Sequence, residues 1–160
     1  MTFAGQPYPN GRNQESSSEA ISAYEAVALY GRAASRFVFG LNESNASDAE
    51  NKATCERVYN MGRLLLATEI ISAQVYYHVE ARNPHKPLRR IYPDIYEPKV
   101  VGMLWSMLAQ QQTWFGAQPW KSYGIQLMPL TPAAVYRDQI TWVDEMLPIF
   151  NASCWSDPGN

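Results

Sequence analysis

Cysteine, histidine and long apolar stretches are all scarce in this chain. Among 160 residues there are two cysteines, Cys55 and Cys154, and two histidines, His78 and His85. A zinc centre needs clustered Cys and His ligands, and the sequence holds no such cluster. Neither thiol has a histidine beside it in a nucleophile arrangement. Cys55 lies inside a helical pattern and Cys154 in the tail, so two unpaired thiols are as good a reading as a bridge formed outside the cytosol. A di-iron carboxylate bundle wants Glu-x-x-His pairs, and neither His78 nor His85 has a glutamate three residues before it. Phosphate chemistry lacks its glycine-rich loop. The expectation is no metal and no cofactor.

No apolar run approaches the roughly 20 residues that cross a bilayer, and Met1 to Asn10 lacks the basic start and apolar stretch of a signal peptide. An excess of one charge is missing too: 13 Lys and Arg stand against 15 Asp and Glu, a net charge of −2. The densest basic cluster, Lys86 with Arg89 and Arg90, falls in a proline-containing loop, where a solvated surface is the ordinary outcome. Neither nucleic acid nor a membrane is indicated as a partner.

What the chain does have is apolar and aromatic content sufficient for a core, arranged mostly at helical spacing. The glycines and prolines of the first ten residues mark a loop. From about Glu15 to Ala34, Ile21, Tyr24, Ala28 and Leu29 recur at helical intervals with Ala20 and Val27 alongside. A polar connector covers Gly40 to Ser47. A second long helix is predicted from about Ala49 to Glu80, with Val58, Met61, Leu65, Thr68, Ile71 and Val75 as its apolar stripe. One polar loop between two one-faced helices predicts an antiparallel pair. Pro84, Pro87, Pro93 and Pro98 exclude a continuous helix from Asn83 to Pro98. Val100 to Trp105 reads as a short strand or buried extended stretch. Trp114 through Thr131 reads as long, aromatic-packed connections, and Arg137 to Ile149 as a helix with Ile140, Val143, Met146 and Leu147 on one side. The fold class is mainly all-α. Three glycosylation acceptors, Asn42-Glu43-Ser44, Asn45-Ala46-Ser47 and Asn151-Ala152-Ser153, fall in expected loops and favour a secretory route.

The segment that carries chemistry is Asn13-Gln14-Glu15-Ser16-Ser17-Ser18-Glu19-Ala20. Its two carboxylates are four residues apart, a spacing that shares one face of a helix and sets two anions against each other. Acid–base use is one reading. The other is a capping box, with Ser16 as cap, Glu19 reaching back to its amide, and acidic residues suiting the helix dipole. Spacing leaves both open.

The run Gly11-Arg12-Asn13-Gln14-Glu15-Ser16-Ser17-Ser18-Glu19-Ala20-Ile21-Ser22-Ala23-Tyr24 resembles the signature of glycoside hydrolase family 81, the endo-1,3-β-glucanases. A second block, Arg63-Leu64-Leu65-Leu66-Ala67-Thr68-Glu69-Ile70 running on to Tyr77-His78, is similar to the family's next helix. A third comprises Lys99-Val100-Val101-Gly102 with Trp105, Thr113-Trp114-Phe115-Gly116, and Gly124-Ile125-Gln126-Leu127-Met128-Pro129-Leu130-Thr131-Pro132. Together the blocks run from about Phe3 to Pro148.

The resemblance implies a larger parent with a β-sandwich, a linking α/β region and an (α/α)6 barrel. Residues 1–160 are then expected to be a fragment of that one catalytic domain, a slice of the barrel with long Pro- and aromatic-rich loops, the sandwich and the remaining helices being absent. Phe3-Ala4-Gly5 falls where the family has Trp-Ala-Ser-Gly preceded by a His, and that His is missing here. The family inverts, so the resemblance implies a general acid on one side of the sugar and a carboxylate activating water on the other. It makes Glu19 the base and Glu15 its neighbour that orients water or sugar. The acid would be an Asp upstream of Met1; Asp94, in a Pro-flanked loop, has no matching role. Substrate contacts are expected from Asn13, Gln14, Tyr24, Glu69, His78 and Trp114, with Tyr77, Trp105 and Trp120 as further aromatics that stack on sugar or pack in the core. Glu69 either pairs with Arg63 or another base, or faces the cleft. The implied partner is β-1,3-glucan, the implied location of the parent extracellular or cell wall, and the activity of the isolated chain weak or nil. A noncatalytic carbohydrate-binding or structural helical fragment is the alternative.

Overall fold

The computed structural model describes residues 2–3, 6–7, 9–38, 46–85 and 90–156. The first helix starts later than its apolar spacing predicts. Ser16 is extended (φ −108°, ψ 102°) and its Oγ accepts the Glu19 amide, so helix α1 is Ser17–Ala33, with a cap hydrogen bond of 3.0 Å. Such a cap contributes about 1 kcal/mol by satisfying a donor that the helix itself leaves unpaired. A π-helical turn, Ala34–Val38, continues α1. Helix α2 is Ala46–Ser72 and ends in another π-helical turn, Ala73–Tyr77.

Small residues make the contact between these two helices. A Cβ on Gly31 would fall 2.5 Å from the Tyr59 amide nitrogen, and one on Gly62 would fall 2.5 Å from that of Ala28. Position 31 lies against 59 while 28 lies against 62, so the pair is antiparallel, as the polar connector predicts. The apolar stripes read from spacing are the buried faces only in part: Ile21 and Ala28 of α1 are buried, whereas no residue of the α2 stripe is. Leu29 is 58% exposed, Met61 55% and Ile71 61%. Ser17, Ser18, Ile21, Ala28, Gly31 and Gly62 are the residues buried in α1 and α2, and Leu66 and Ile70 pack on the Ile21, Ala73 and Ala133 cluster. Backbone approach favours the smallest side chains at the crossing, and hydrophobic spacing carries no signal for that.

The chain then extends. Among described residues from 83 to 98 there is no helix or strand, and Val100 then bridges His78. Five strands are described: β1 (Thr2–Phe3) pairs with β2 (Gln6–Pro7), while β3 (Asn13–Gln14), β4 (Met103–Trp105) and β5 (Ala109–Gln110) form an antiparallel sheet in that order. The expected long connection from Trp114 to Thr131 is instead interrupted by helix α3 (Pro119–Leu127). Pro119 occupies its first turn, where a missing N–H is no loss, so proline starts this helix rather than preventing it. Helix α4 is Ala134–Arg137, and α5 is Ile140–Trp155. In α5 Met146 is buried and Val143 packs on its cluster, as the spacing predicts, but Ile140 and Leu147 are exposed and Trp142 takes their place in the core. Asn151 also lies within α5 rather than in a loop, while Asn42, Asn45, Lys86 and Arg89 fall outside the described residues. Mainly α-helical architecture is the outcome. No described helix is long and apolar enough to cross a membrane, and Cys55 and Cys154 are not joined in a disulfide.

Trp142 joins the α3–α5 core to the extended segment. It packs with Val100, Tyr123 and Met146, and its Nε1 donates to the Lys99 carbonyl at 2.5 Å. His78 stacks on it with ring centroids 3.7 Å apart and an interplanar angle of 4°. Both ring nitrogens of His78 are buried without a hydrogen-bond partner among the described residues. Burial first, and the nearby Arg137 guanidinium second, push its pKa down to about 3. His78 is therefore a neutral core residue, and the expected sugar contact from it is corrected: its side chain is fully buried.

Two outcomes follow from this packing. Gly62→Ala gains about 1 kcal/mol of helix propensity but drives a methyl into the α1 backbone, so urea unfolding should show a net loss of about 1–3 kcal/mol. The folded-state pKa of His78 lies below the ordinary unfolded value of 6.5, so as pH falls below that value the unfolded chain takes up a proton that the folded chain excludes. Stability should decline from about pH 6.5 toward 3, and His78→Phe, which keeps the stack, should flatten that slope in unfolding measured across the range.

Candidate active site

The Asn13–Ser16 strap is held by several polar contacts before the chain becomes a helix at Ser17. Gly11 has φ 83°, and a Cβ there would meet Ser106 Oγ at 2.7 Å. Ser106 also accepts the Arg12 amide at 3.1 Å. Asn13 pairs with Trp105 and Gln14 with Leu104 in the sheet. The Gln14 side-chain amide donates to Glu69 Oε1 at 2.5 Å, and the Tyr77 hydroxyl donates to the Gln14 carbonyl at 3.1 Å. The two carboxylates therefore do not share a helical face: Glu15 precedes the Ser16 cap, so its separation of four from Glu19 is not a helical spacing.

Each carboxylate has its own setting. Glu15 Oε1 accepts the Trp114 backbone amide at 2.7 Å. Glu19 is exposed in the first turn of α1. The cap uses only the Glu19 backbone N–H, leaving its carboxylate outside the cap bond. Glu69 is half-buried on α2; burial raises its pKa and the Gln14 hydrogen bond opposes that rise. The alternative of a Glu69–Arg63 pair is corrected, because Glu69 meets Gln14 while the Arg63 guanidinium lies over the Tyr59 ring at 5.3 Å.

Aromatics flank the strap. Trp114 is 54% and Phe115 55% exposed, at the tip of a tight turn closed by Thr113 N–H to the Gly116 carbonyl at 3.0 Å. Trp114 meets buried Trp105 edge-on, with centroids 5.6 Å apart. Tyr24 is half-buried farther along α1. Tyr77 is a core residue, its hydroxyl pKa raised by burial and then by Glu69, so it remains a donor. Trp120 sits half-buried on α3, where its amide donates to Ser153 Oγ at 3.3 Å, so it belongs to the α3–α5 contact. Asp94 meets Arg82 at 3.1 Å and Arg90 at 3.6 Å, on an exposed loop.

The structure thus gathers Asn13, Gln14, Glu15, Glu69 and Trp114 at one junction, with Glu19 one turn into the adjoining helix, and leaves His78 in the core. A solvent-facing carboxylate, a second one hydrogen-bonded to an aromatic turn, and an exposed indole suit the grip of a ring that has polar edges and C–H faces. Sequence reasoning missed two groups. Gln126 is fully buried and bonds the Glu15 carbonyl, and the Ser18 hydroxyl lies against the Ile125 carbonyl at 2.6 Å and the Met128 carbonyl. A lone amide inside the apolar run Gly124 to Met128 was the signal available for the first.

Comparison with known proteins gives a consistent result. Residues 49–155 match the family model of the Glycosyl hydrolase family 81 C-terminal domain. A Glucan endo-1,3-beta-D-glucosidase of Glycine max is 35% identical over 129 residues, covering 78% of this chain and 16% of that protein. Another of the same name from Acetivibrio thermocellus is 26% identical over 133 residues, covering 81% of this chain and 13% of that protein. The chain spans only that small share of these relatives. A solved Glycoside hydrolase family 81 structure from Clostridium thermocellum shares the fold, with a TM-score of 0.68 and 21% identity over 96% of this chain and 18% of the other.

The Glu15 contact is open to direct measurement. Glu15→Gln keeps an oxygen acceptor for the Trp114 amide and Glu15→Ala removes it. A charge-assisted bond worth about 1.5–3 kcal/mol predicts Trp114 amide exchange faster by about 10-fold or more in the alanine variant and much less change in the glutamine one.

Proposed function

We propose, from the fact that this chain belongs to glycosyl hydrolase family 81, that it is part of the (α/α)6 catalytic domain of an endo-acting β-1,3-glucanase. The carrying observation is the exposed Glu19, four residues after a Glu15 whose carboxylate is tied at 2.7 Å to the amide of the exposed Trp114. In this reading Glu19 is the general base that removes a proton from water, and Glu15 orients that water or the sugar while it holds the aromatic turn. Trp114 stacks on a glucose ring, with Tyr24, Asn13 and Gln14 as neighbours on the glucan path. Glu69 acts by fixing Gln14. The general acid, an Asp expected before Met1, protonates the leaving oxygen from the opposite side. Laminarin-type β-1,3-glucan is the substrate, and an extracellular or cell-wall location suits a polymer of that kind.

One observation also favours the noncatalytic alternative: Ser16 does cap α1 through the Glu19 amide. That bond occupies the backbone alone, so capping and catalysis are compatible at the same residue. The two readings part on activity. Reducing-sugar release from laminarin should be measured for this chain and for a form extended upstream to include the Asp, each with and without Glu19→Gln. The extended form should release sugar, the shorter chain should be about 10²–10⁴-fold slower for want of the acid, and Glu19→Gln should abolish release. A folded extended form that cuts nothing, or that ignores Glu19→Gln, leaves a binding or structural role.

A further inference from the structure

Gln126 has no solvent exposure, yet its amide is occupied on both sides. Nε2 donates to the Glu15 carbonyl at 2.5 Å and lies 3.4 Å from the Gly102 carbonyl. Oε1 accepts the Ser17 amide at 3.1 Å and the Ser17 hydroxyl at 2.6 Å. Only a side chain with donors on one atom and an acceptor on the other satisfies this set. A carboxylate would face two carbonyl oxygens with an oxygen, and a methionine of similar length would leave all four groups unpaired in a buried place, where each such loss is costly.

The residues that Gln126 holds are those immediately before and after the Ser16 cap. It therefore fixes the angle at which the strap turns into α1. We propose that Gln126 is a positioning residue for glucan hydrolysis, setting the placement of the Glu15 and Glu19 carboxylates through the Glu15 carbonyl and the Ser17 amide. This rests on the glucanase reading above. The neighbouring contacts act in the same direction: the Ser16 hydroxyl reaches the Ile125 carbonyl at 3.2 Å and that of Ser18 reaches it at 2.6 Å, so the end of α3 is the bed on which the first turn of α1 lies. Gln126 supplies the bonds of that bed to the two residues that bracket the cap.

The test uses Gln126→Met and Gln126→Glu. In the extended form, folded Gln126→Met should lose about 10²-fold in kcat, the scale of a displacement near 1 Å, with KM nearly unchanged. Gln126→Glu adds a rescue. While protonated, its carboxyl donates to the Glu15 carbonyl as the amide does, so kcat should approach that of the parent at low pH and fall as this proton is lost, a limb the parent lacks. In parallel, 13C NMR of the glutamate carboxyls and 15N NMR of the Trp114 amide in the 160-residue chain should show the Glu15 and Glu19 carboxyl resonances and the Trp114 amide resonance displaced by Gln126→Met. A folded methionine variant with kcat within about twofold of the parent, far short of the misplacement scale, or with those resonances unmoved, overturns the proposal. An inactive parent in its extended form sinks the glucanase reading, and with it the catalytic part of the proposal, while the carboxyl resonances still decide whether Gln126 sets their geometry. Should Gln126→Met not fold, the pH dependence of Gln126→Glu decides the matter: a low-pH recovery of kcat supports the positioning role, and a flat ratio to the parent across pH overturns it.

Discussion

The buried amide of Gln126 accepts from Ser17 and donates to Glu15, and both partners lie more than 100 residues away in the chain. Because its four groups are sealed from water, any other arrangement of the strap would leave unsatisfied polar atoms, and that penalty is what gives the junction a single geometry. The sheet pairing of Asn13 and Gln14, the Tyr77 hydroxyl on the Gln14 carbonyl and the Ser16 cap extend the same constraint in both directions. The strand ends and the helix begins within one set of short polar contacts, and the Glu15 and Glu69 side chains bond within it.

Within that frame three glutamates stand in three environments. Glu69 is half-buried and bonded to a neutral amide, Glu15 is bonded to a backbone N–H, and Glu19 is open to solvent. Different surroundings assign different work to identical carboxyl groups. Glu69, whose charged form is disfavoured by burial, is suited to hold Gln14. Glu15 joins the motif to the aromatic turn, so the placement of Trp114 is tied to that of the carboxylates. Glu19, outside both arrangements, has the freedom to meet water.

The scaffold beneath the site depends on contact of a different kind. Gly31 and Gly62 bring the backbones of α1 and α2 together, and Trp142, with His78 stacked on it, locks the extended segment to α5. The first is a matter of missing side chains and the second of large flat ones.

Much of this was legible in the sequence. Helical spacing located two long helices, a polar connector predicted their antiparallel pairing, prolines predicted the irregular segment, and Ser16 followed by Glu19 predicted the cap. Those features are local, set by propensity, hydrogen bonding within a few residues and the geometry of proline, so the order of residues is enough. The full buried face of each helix was not legible: Ile21, Ala28 and Met146 lie on the predicted stripes and are buried, but Gly31 and Gly62 carry no hydrophobic signal and Leu29, Met61 and Ile71 carry a misleading one. Nor was the helix beginning at Pro119, the core role of His78, or the reach of Gln126 to Glu15. Each depends on groups that are distant in sequence and become neighbours only after the chain has packed, when burial turns an ordinary amide into an anchor and an ordinary histidine into a neutral ring. Residue order was enough for the mainly helical architecture and the acidic motif; which carboxylate is held, which is free and what aims them came from contacts made across the folded chain.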